Sequence, residues 1–572
     1  MKNWRLRETE DGSVQELARH SLLPLPLARA LILRGVSATG DVERFLNPRL
    51  SDVIDPFTLP AMEAAVARIG KAIKAGETMV VYGDYDVDGV TSAALMSHVL
   101  TRLGGRVFQF LPSRMEEGYG LNAETVERCI RAYQPGLIVT TDCGSGSHEA
   151  AIAATKAGVD IVVTDHHEVG TAGPAPVVAV VNPKLGSDPQ SRCLSGVGVA
   201  FKVCHALLKK GRDQKQTTAM TLDLREFLDL VALGTVSDMV PMIHENRILV
   251  RHGLAQLNRR ERLGLRVLAE VAGATGELGT YHVGFLLGPR MNAAGRMGKA
   301  DDALELLLTE DPVKARELAL LLDSANQDRK QVESEIMEEA VRRIEAYYDP
   351  GSHFGIVVGE IGWHVGVVGI VASRLVSKYG RPTIVVGFDE NGVGRGSCRS
   401  IEGFDLLGGL KACSEYLSRH GGHEMAAGLE VQQAVFEDFQ KAFYAVCEKG
   451  LKGHDLRRTV ELDSWVSMAE VLDTGFLDVT RRMGPFGESN VEPVWGLKSV
   501  QIVGAPRVLK EAHVKMRVGL GRDVCDVIGF KMAGRLKELP EGPVDLAFNL
   551  RANTYMNRTT LQLNLLDFRE GT

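Results

Sequence analysis

The chain has 572 residues, of which 45% are apolar and 24% charged, and a net charge of −7. This globular composition excludes a disordered protein and a histone-like wrapper but leaves room for a local basic groove. At about 100–200 residues per domain it should hold three or four domains. Eight cysteines without a C-x-x-C pair argue against a zinc ribbon, an iron–sulfur cluster and a secreted disulfide scaffold,. No apolar stretch approaches the ~20 residues of a membrane span. The first 30 residues mix five Arg/Lys with four acids before any apolar run, so they are not expected to be a signal peptide,. The expected compartment is a reducing cytoplasm.

Residues 1–65 read as a helical segment ending in Pro56 and Pro60. Over 66–305 the pattern is α/β. The runs TMVVYG (78–83), RVFQFLP (106–112), GLIVTT (136–141), VDIVVT (159–164) and VVAVVNP (177–183) alternate with Ala-rich stretches, which predicts a buried parallel sheet,. Residues 195–300 read mostly as helix. Residues 313–348 lack Gly and Pro and space Leu318, Leu321, Ala325, Val332, Ile336, Ala340 and Ile344 at helical intervals. They predict one amphipathic helix of roughly 50 Å within 306–350, a natural strut between two lobes. A second α/β unit spans 351–452, with strands FGIVVGE (354–360) and PTIVVGF (382–388) around the helix VGIVASRLVSKY (368–379). Residues 453–572 close with VKMRVGL, VCDVIGF, VDLAFNL and TTLQLNLLDF, the spacing of a small β-barrel,.

The strongest local signal is Y-G-D-Y-D-V-D-G (82–89), with a helix expected from Val90. If the run is extended, Asp84, Asp86 and Asp88 share one side, and Gly89 permits a sharp turn. Like charge so concentrated is costly unless a cation sits within it. A surface turn or an Asp helix cap uses the same residues. The twelfth position counted from Asp84 is Leu95 and not Glu, which excludes an EF-hand loop,. Two further strands end alike, at Asp142-Cys143-Gly144 and at Asp165-His166-His167, and Asp238 follows the helical run 225–234. Strand ends of one kind lie on one edge of a parallel sheet, where α/β sites form. Carboxylates with one or two histidines and no thiolate cluster favour Mn²⁺ or Mg²⁺ over structural zinc. The acids suffice for two ions sharing a bridging carboxylate, an arrangement suited to phosphoester hydrolysis. Cys143 reads as packing.

In this order D-Y-D-V-D-G, T-D-C-G, T-D-H-H and S-D-M-V-P resemble the motifs of the DHH phosphoesterase superfamily. GPRMNAAGRMG (288–298), GGHEMAAG (421–428) and PFGESNVEPVW (485–495) narrow the resemblance to its single-strand-specific 5′→3′ DNA exonucleases, over roughly 50–570. The resemblance implies a catalytic DHH domain (66–305), a connecting helix (306–350), a DHH-associated DNA-binding domain (351–452) and an OB-fold domain (453–572). It implies that Asp86 and Asp142 hold one metal, with Asp84 close by. Asp88, Asp142, His166 and Asp238 hold the other, so Asp142 bridges. His167 faces the scissile phosphate, and Asp165 orients the neighbouring histidine. Tyr82 stands where many superfamily members carry a histidine. Release of 5′-mononucleotides in DNA repair and recombination is implied too, by a monomer working with single-strand-binding protein and a RecQ-type helicase. Two rival functions are a phosphodiesterase for short oligonucleotides or cyclic dinucleotides and a non-catalytic replication scaffold. The barrel and long helix speak against the first, the complete acid set against the second.

Arg290, Asn292 and Arg296 lie in a Gly/Ala-rich stretch open to a phosphate, or form a solvated helix end. Arg114 in LPSRM reaches the same rim or solvent. Residues 392–400 read as a glycine-spaced basic loop in which Arg395, Ser397 and Arg399 cradle phosphates, and the resemblance places His423 at a DNA-facing motif. Trp363-His364 suits an aromatic contact or the core. Residues 501–560 hold ten Lys/Arg against six Asp/Glu. Lys515 and Arg517, with Tyr555 and Arg558 nearby, are expected on a basic strand face that suits single-stranded DNA. All expected ligands precede residue 455, so chemistry is expected to survive loss of the barrel.

Overall fold

The computed structural model describes residues 2–112, 120–555 and 558–571, apart from the side chains of 554–559. Arg114 and the side chains of Tyr555 and Arg558 lie outside the described residues. Strand β1 (Asn3–Leu6) opens the chain. β2 (Thr78–Gly83), β3 (Arg106–Phe110), β4 (Leu137–Thr141), β5 (Asp160–Thr164) and β6 (Ala179–Val181) form a sheet in the order β3-β2-β4-β5-β6. It is parallel throughout. Its strands are apolar without alternation because both faces are covered: Met79, Val80, Val81 and Tyr82 are all fully buried,. On one face Val80, Tyr82, Ile138 and Val163 pack on Val126, Ala150 and Ala154 of the helices Ala123–Tyr133 and His148–Lys156. The strand order reverses between β2 and β4, so a ligand crevice belongs at their carboxyl ends.

The chain divides into two compact units, one of Met1–Asn292, Ala300–Ala319 and Thr459–Thr572, the other of Ala293–Lys299 and Leu320–Arg458. The second unit holds β7 (Ile356–Ile361), β8 (Thr383–Phe388), β9 (Val393–Arg399), β10 (Leu417–Gly422) and β11 (Ala426–Gln432), ordered β10-β11-β9-β8-β7. β7 and β8 are parallel and the other neighbours antiparallel. The expected glycine-spaced loop is therefore a central strand, β9. Its glycines make room for core side chains: a Cβ on Gly394 would stand 2.5 Å from the Phe388 ring, and one on Gly396 2.8 Å from Leu429. Alternation then puts Arg395, Ser397 and Arg399 on the opposite face. Trp363 belongs to the core, with its indole N–H donating to Glu339 Oε2 at 3.0 Å.

The long helix runs Pro312–Glu345, 34 residues. Leu318, Leu322, Ile336, Ala340 and Ile344 are buried, but Leu321 is half exposed. Between them the buried stripe is polar. Arg329 donates to Glu333 at 2.6 Å and to Asn326 at 3.0 Å, and Glu333 also pairs with Arg374.

In the first unit the chain ends fold together. β1 pairs in parallel with β12 (Thr459–Leu462). After β13 (Ser464–Trp465) come β14 (Trp495–Ile502), β15 (Arg507–Leu509), β16 (His513–Leu520), β17 (Asp523–Gly529), β18 (Val544–Tyr555) and β19 (Arg558–Glu570). The pairings β14–β18, β18–β19, β19–β17, β17–β16 and β16–β14 close a five-stranded ring with one parallel contact, β17–β19. This is the OB-fold barrel. Its core is shared with the N-terminal helices: Val14, Leu17, Leu27 and Leu31 pack with Phe476, Trp495, Leu497 and Phe548. Arg34 and Asp463 form a buried ion pair at 3.0 Å. Buried Arg247 stacks 3.9 Å over Phe45 and donates to the carbonyls of Phe45, Arg482, Met483 and Gly484 at 2.6–3.0 Å. The C-terminal region thus supplies most of a core shared with residues 14–46 and anchors Arg247 through three carbonyls.

Candidate metal centre and nucleic-acid interface

β2 stops at Gly83, and the Asp84 N–H donates to Thr141 O at 3.3 Å. The next helix, Val87–Arg102, begins three residues before the expected Val90 because Asp86 caps it, accepting the N–H groups of Asp88 and Gly89 at 2.9 and 3.1 Å,. The three acids are therefore not one extended run. Gly89 serves close approach and not a turn: a Cβ there would lie 2.5 Å from Asp84 O. Asp142 follows β4 in the left-handed region (φ 65°), a conformation Asp tolerates better than most residues,. Its N–H donates to Thr164 O at 2.9 Å. Asp165 and His166 follow β5, and Asp238 ends the helix Leu228–Ser237.

Ligand atoms of Asp84, Asp86 and Asp142 lie within 4.8 Å of one another. So do those of Asp88, His166 and Asp238, and those of Asp142, His166 and His167. His166 Nε2 stands 3.1 Å from Asp142 Oδ1, 3.5 Å from Asp238 Oδ2 and 3.8 Å from Asp88 Oδ2. Asp142 Oδ1 and His166 Nε2 are buried, and neither has a hydrogen-bond partner among the described residues.

Burial, then the neighbouring carboxylates, raises the Asp142 carboxyl well above its usual range. The same two causes push Asp88 to about 7 and Asp238 to about 9. Burial and the charge of His167 lower His166 to about 3, so its imidazole stays neutral, as a ligand must,. Repelling carboxylates and bare ligand atoms at one point fit a divalent cation, and hard oxygens with an imidazole fit Mn²⁺ or Mg²⁺.

Asp165 is absent from these three groups. It accepts His167 Nδ1 at 2.8 Å and the N–H groups of Ser145, His166 and His167. Burial works against its charged form, but the His167 hydrogen bond and charge outweigh burial and hold the carboxyl below its usual range. Burial likewise opposes the His167 charge, and the bond to Asp165 overcomes it, raising His167. Tyr82 faces the core: its hydroxyl meets Thr125 Oγ1 at 3.0 Å and its ring stacks on Phe110. Cys143 lies in the same core.

The helix Gly196–Asp213 lies in the stretch expected to be mostly helical, but sequence reasoning missed the contact of its first turn with the acids. Its first N–H groups, from Gly196 and Val197, donate to Asp88 Oδ2 and Oδ1 at 2.6 and 2.9 Å. A Cβ on Gly196 would sit 2.5 Å from Asp142 Oδ1. Ser195 before a small and apolar run is a legible N-cap,. Nothing local links it to an acid 108 residues away.

Arg290 is buried and donates to Leu286 O at 2.8 Å, so it is not a solvated helix end. Asn292 Oδ1 accepts the Val87 N–H at 3.2 Å, between Asp86 and Asp88. Arg296 Nη1 donates to Gly366 O at 2.8 Å. Arg395 is exposed. Ser397 Oγ and Arg399 Nη2 lie 3.0 and 3.4 Å from the Cβ position of Gly369, in the first turn of the helix Val368–Tyr379. A hydroxyl, a guanidinium and a helix N-terminus meet there. His423 is exposed between β10 and β11. Lys515 pairs with Asp526 at 3.4 Å, which meets part of that strand's positive charge, while Arg517 is exposed.

Residues 78–235 match the DHH family, N-terminal domain, residues 353–449 the DHHA1 domain, and residues 462–567 the RecJ OB domain. The single-stranded-DNA-specific exonuclease RecJ of Bacillus subtilis is 36% identical over 99% of this chain and 70% of its own length. RecJ of Escherichia coli is 35% identical over 98% of both. The chain belongs to the RecJ family. The crystal structure of RecJ in complex with Mn²⁺ from Thermus thermophilus has a TM-score of 0.83 and 29% identity, covering 100% of this chain and 80% of that one. The Mg²⁺ complex of the same RecJ scores 0.77 at 28% identity, covering 100% and 79%. Among the described residues no helix is long and apolar enough to cross a membrane.

Proposed function

We propose that this RecJ-family chain is a metal-dependent exonuclease that degrades single-stranded DNA from its 5′ end to 5′-mononucleotides, with two divalent ions, in DNA repair and recombination. The observation that carries the reading is the pair of ligand groups, Asp84/Asp86/Asp142 and Asp88/His166/Asp238, joined through the 3.1 Å approach of Asp142 and His166. Asp142 is the acid placed to serve both groups. When bound, Mn²⁺ or Mg²⁺ supplies an acidified water for attack on phosphorus and neutralises charge on the phosphate oxygens. The chain's own residues do the rest. Gly196 and Val197 fix both oxygens of Asp88. Asp165 holds the proton of His167 at Nδ1, which leaves Nε2 for a phosphate oxygen. Ser397, Arg399 and the Gly369 helix turn are the phosphate-binding set of the second unit, and Arg296 steadies it through Gly366. Arg290, Asn292, Arg395, His423, Lys515 and Arg517 complete the proposed DNA-binding residues.

End-labelled single-stranded, double-stranded and circular oligonucleotides, digested with Mn²⁺ or Mg²⁺, test this. Labelled mononucleotide should appear first from the 5′ end of single strands, and Arg296→Lys should slow 5′-phosphorylated strands more than 5′-hydroxyl ones. Cleavage of circles would refute the end requirement.

A further inference from the structure

We propose that Tyr281 and Phe285 form a stacking platform for a base of the single-stranded substrate beside the metal centre. This rests on the reading of the chain as a single-strand exonuclease. Both rings are left in solvent, 62% and 66% exposed. They stack on each other with centroids 5.0 Å apart and planes 26° apart. Two exposed rings stacked four residues apart are not a core fragment; the Tyr281 ring also meets the His282 ring edge-on at 5.8 Å, and the pair still leaves most of its surface open to a base,.

Their position ties them to the chemistry. Thr280–His282, the π-helical turn Val283–Leu287 and Gly288–Met297 form one continuous helical stretch. π-Helical turns are rare and concentrate at functional sites. This stretch packs against the helix that ends at Asp238. At Gly288 a Cβ would stand 2.6 Å from Ser237 Oγ, the neighbour of Asp238, and at Gly284 one would stand 3.8 Å from Val236. Further along, Asn292 bonds the Val87 N–H between Asp86 and Asp88. Gly284 and Gly288 thus mark the side turned to the Asp238 helix, and Phe285 directly follows Gly284 while Tyr281 stands three residues before that glycine on the same stretch. Phosphate contacts fix where a strand lies without sensing its bases, whereas an aromatic platform senses any base and no particular sequence. The pair therefore gives this site what its acids and arginines lack, a grip on single-stranded bases.

The test uses the Mn²⁺-loaded full chain and 5′-phosphorylated oligonucleotides in which one nucleotide at a time, from the first to the sixth, is replaced by an abasic analogue. For the wild type KM should rise about tenfold at one or two adjacent positions. Tyr281→Ala/Phe285→Ala should raise KM on the intact strand by a similar factor and flatten the profile. Tyr281→Phe/Phe285→Tyr should restore it, and Phe285→Leu alone should weaken it. A flat wild-type profile, or an Ala/Ala variant that keeps the wild-type profile, overturns the platform. Failure of the wild type to degrade any single strand overturns the exonuclease reading instead.

Discussion

Glycine does opposite work in the two α/β regions. At the carboxyl edge of β2 and β4, Gly196 lets a helix N-terminus reach Asp88 while its own missing Cβ leaves room for Asp142. In β9, Gly394 leaves room for the Phe388 ring and the Val386 side chain. In sequence the two segments look alike, LSGVGV and GVGRGSCR. Glycine spacing announces that something approaches the backbone closely. Whether that something is a ligand group or a core side chain depends on which face the strand or helix turns inward.

The comparison can be broken most directly at the acid it centres on. Asp142→Ala should lower the rate on single-stranded DNA at least 10²-fold with the fold retained, and a variant keeping more than about a tenth of the activity would dissolve the shared-ligand assignment. In the same series Asp142→Asn should match or exceed the metal-free wild type in melting temperature, because one buried like charge is gone. It should also lose the rise that Mn²⁺ gives the wild type, a mass-action effect of about 2.7 kcal/mol at a hundred times Kd.

Next in size is Gly196→Ala. Its methyl group meets Asp142 at 2.5 Å, so a drop in kcat of roughly 10- to 100-fold and a higher Mn²⁺ requirement are expected. An Mn²⁺ titration of initial rates reads both, and a wild-type curve would show that the crowding is relieved without touching the ligands.

Arg247→Ala should destabilise the first unit by about 3 kcal/mol, since four carbonyls lose a charged donor in a buried place,. Thermal unfolding is the measurement, and an unchanged midpoint would mean that the barrel and catalytic sheet are independent after all. Gly394→Ala should cost about 1–3 kcal/mol by overpacking against Phe388,, with Mn²⁺ binding unaltered. If its metal response shifted as that of Gly196→Ala does, the contrast between the two glycines would fail.

What the sequence by itself determined follows from local physics. Strands buried on both faces must be apolar throughout, so TMVVYG, GLIVTT and VDIVVT were readable as parallel strands, and the acids and histidines just past them as one rim. A long run without Gly or Pro whose apolar residues recur at helical spacing reads as helix, and short alternating strands with turns read as a small barrel. Tertiary structure alone decided what pairs across long separations. It put Asp88 under the Gly196 helix, 108 residues away. It turned 393–399 into a central strand, buried Arg290, and replaced Leu321 on the inner side of the long helix by Asn326, Arg329 and Glu333. It also joined residues 14–46 to the barrel in one core. Periodicity reports only that a residue is shielded from water. Which distant group shields it, and whether that group is a ring, a carboxylate or a backbone N–H, is fixed when the chain closes on itself.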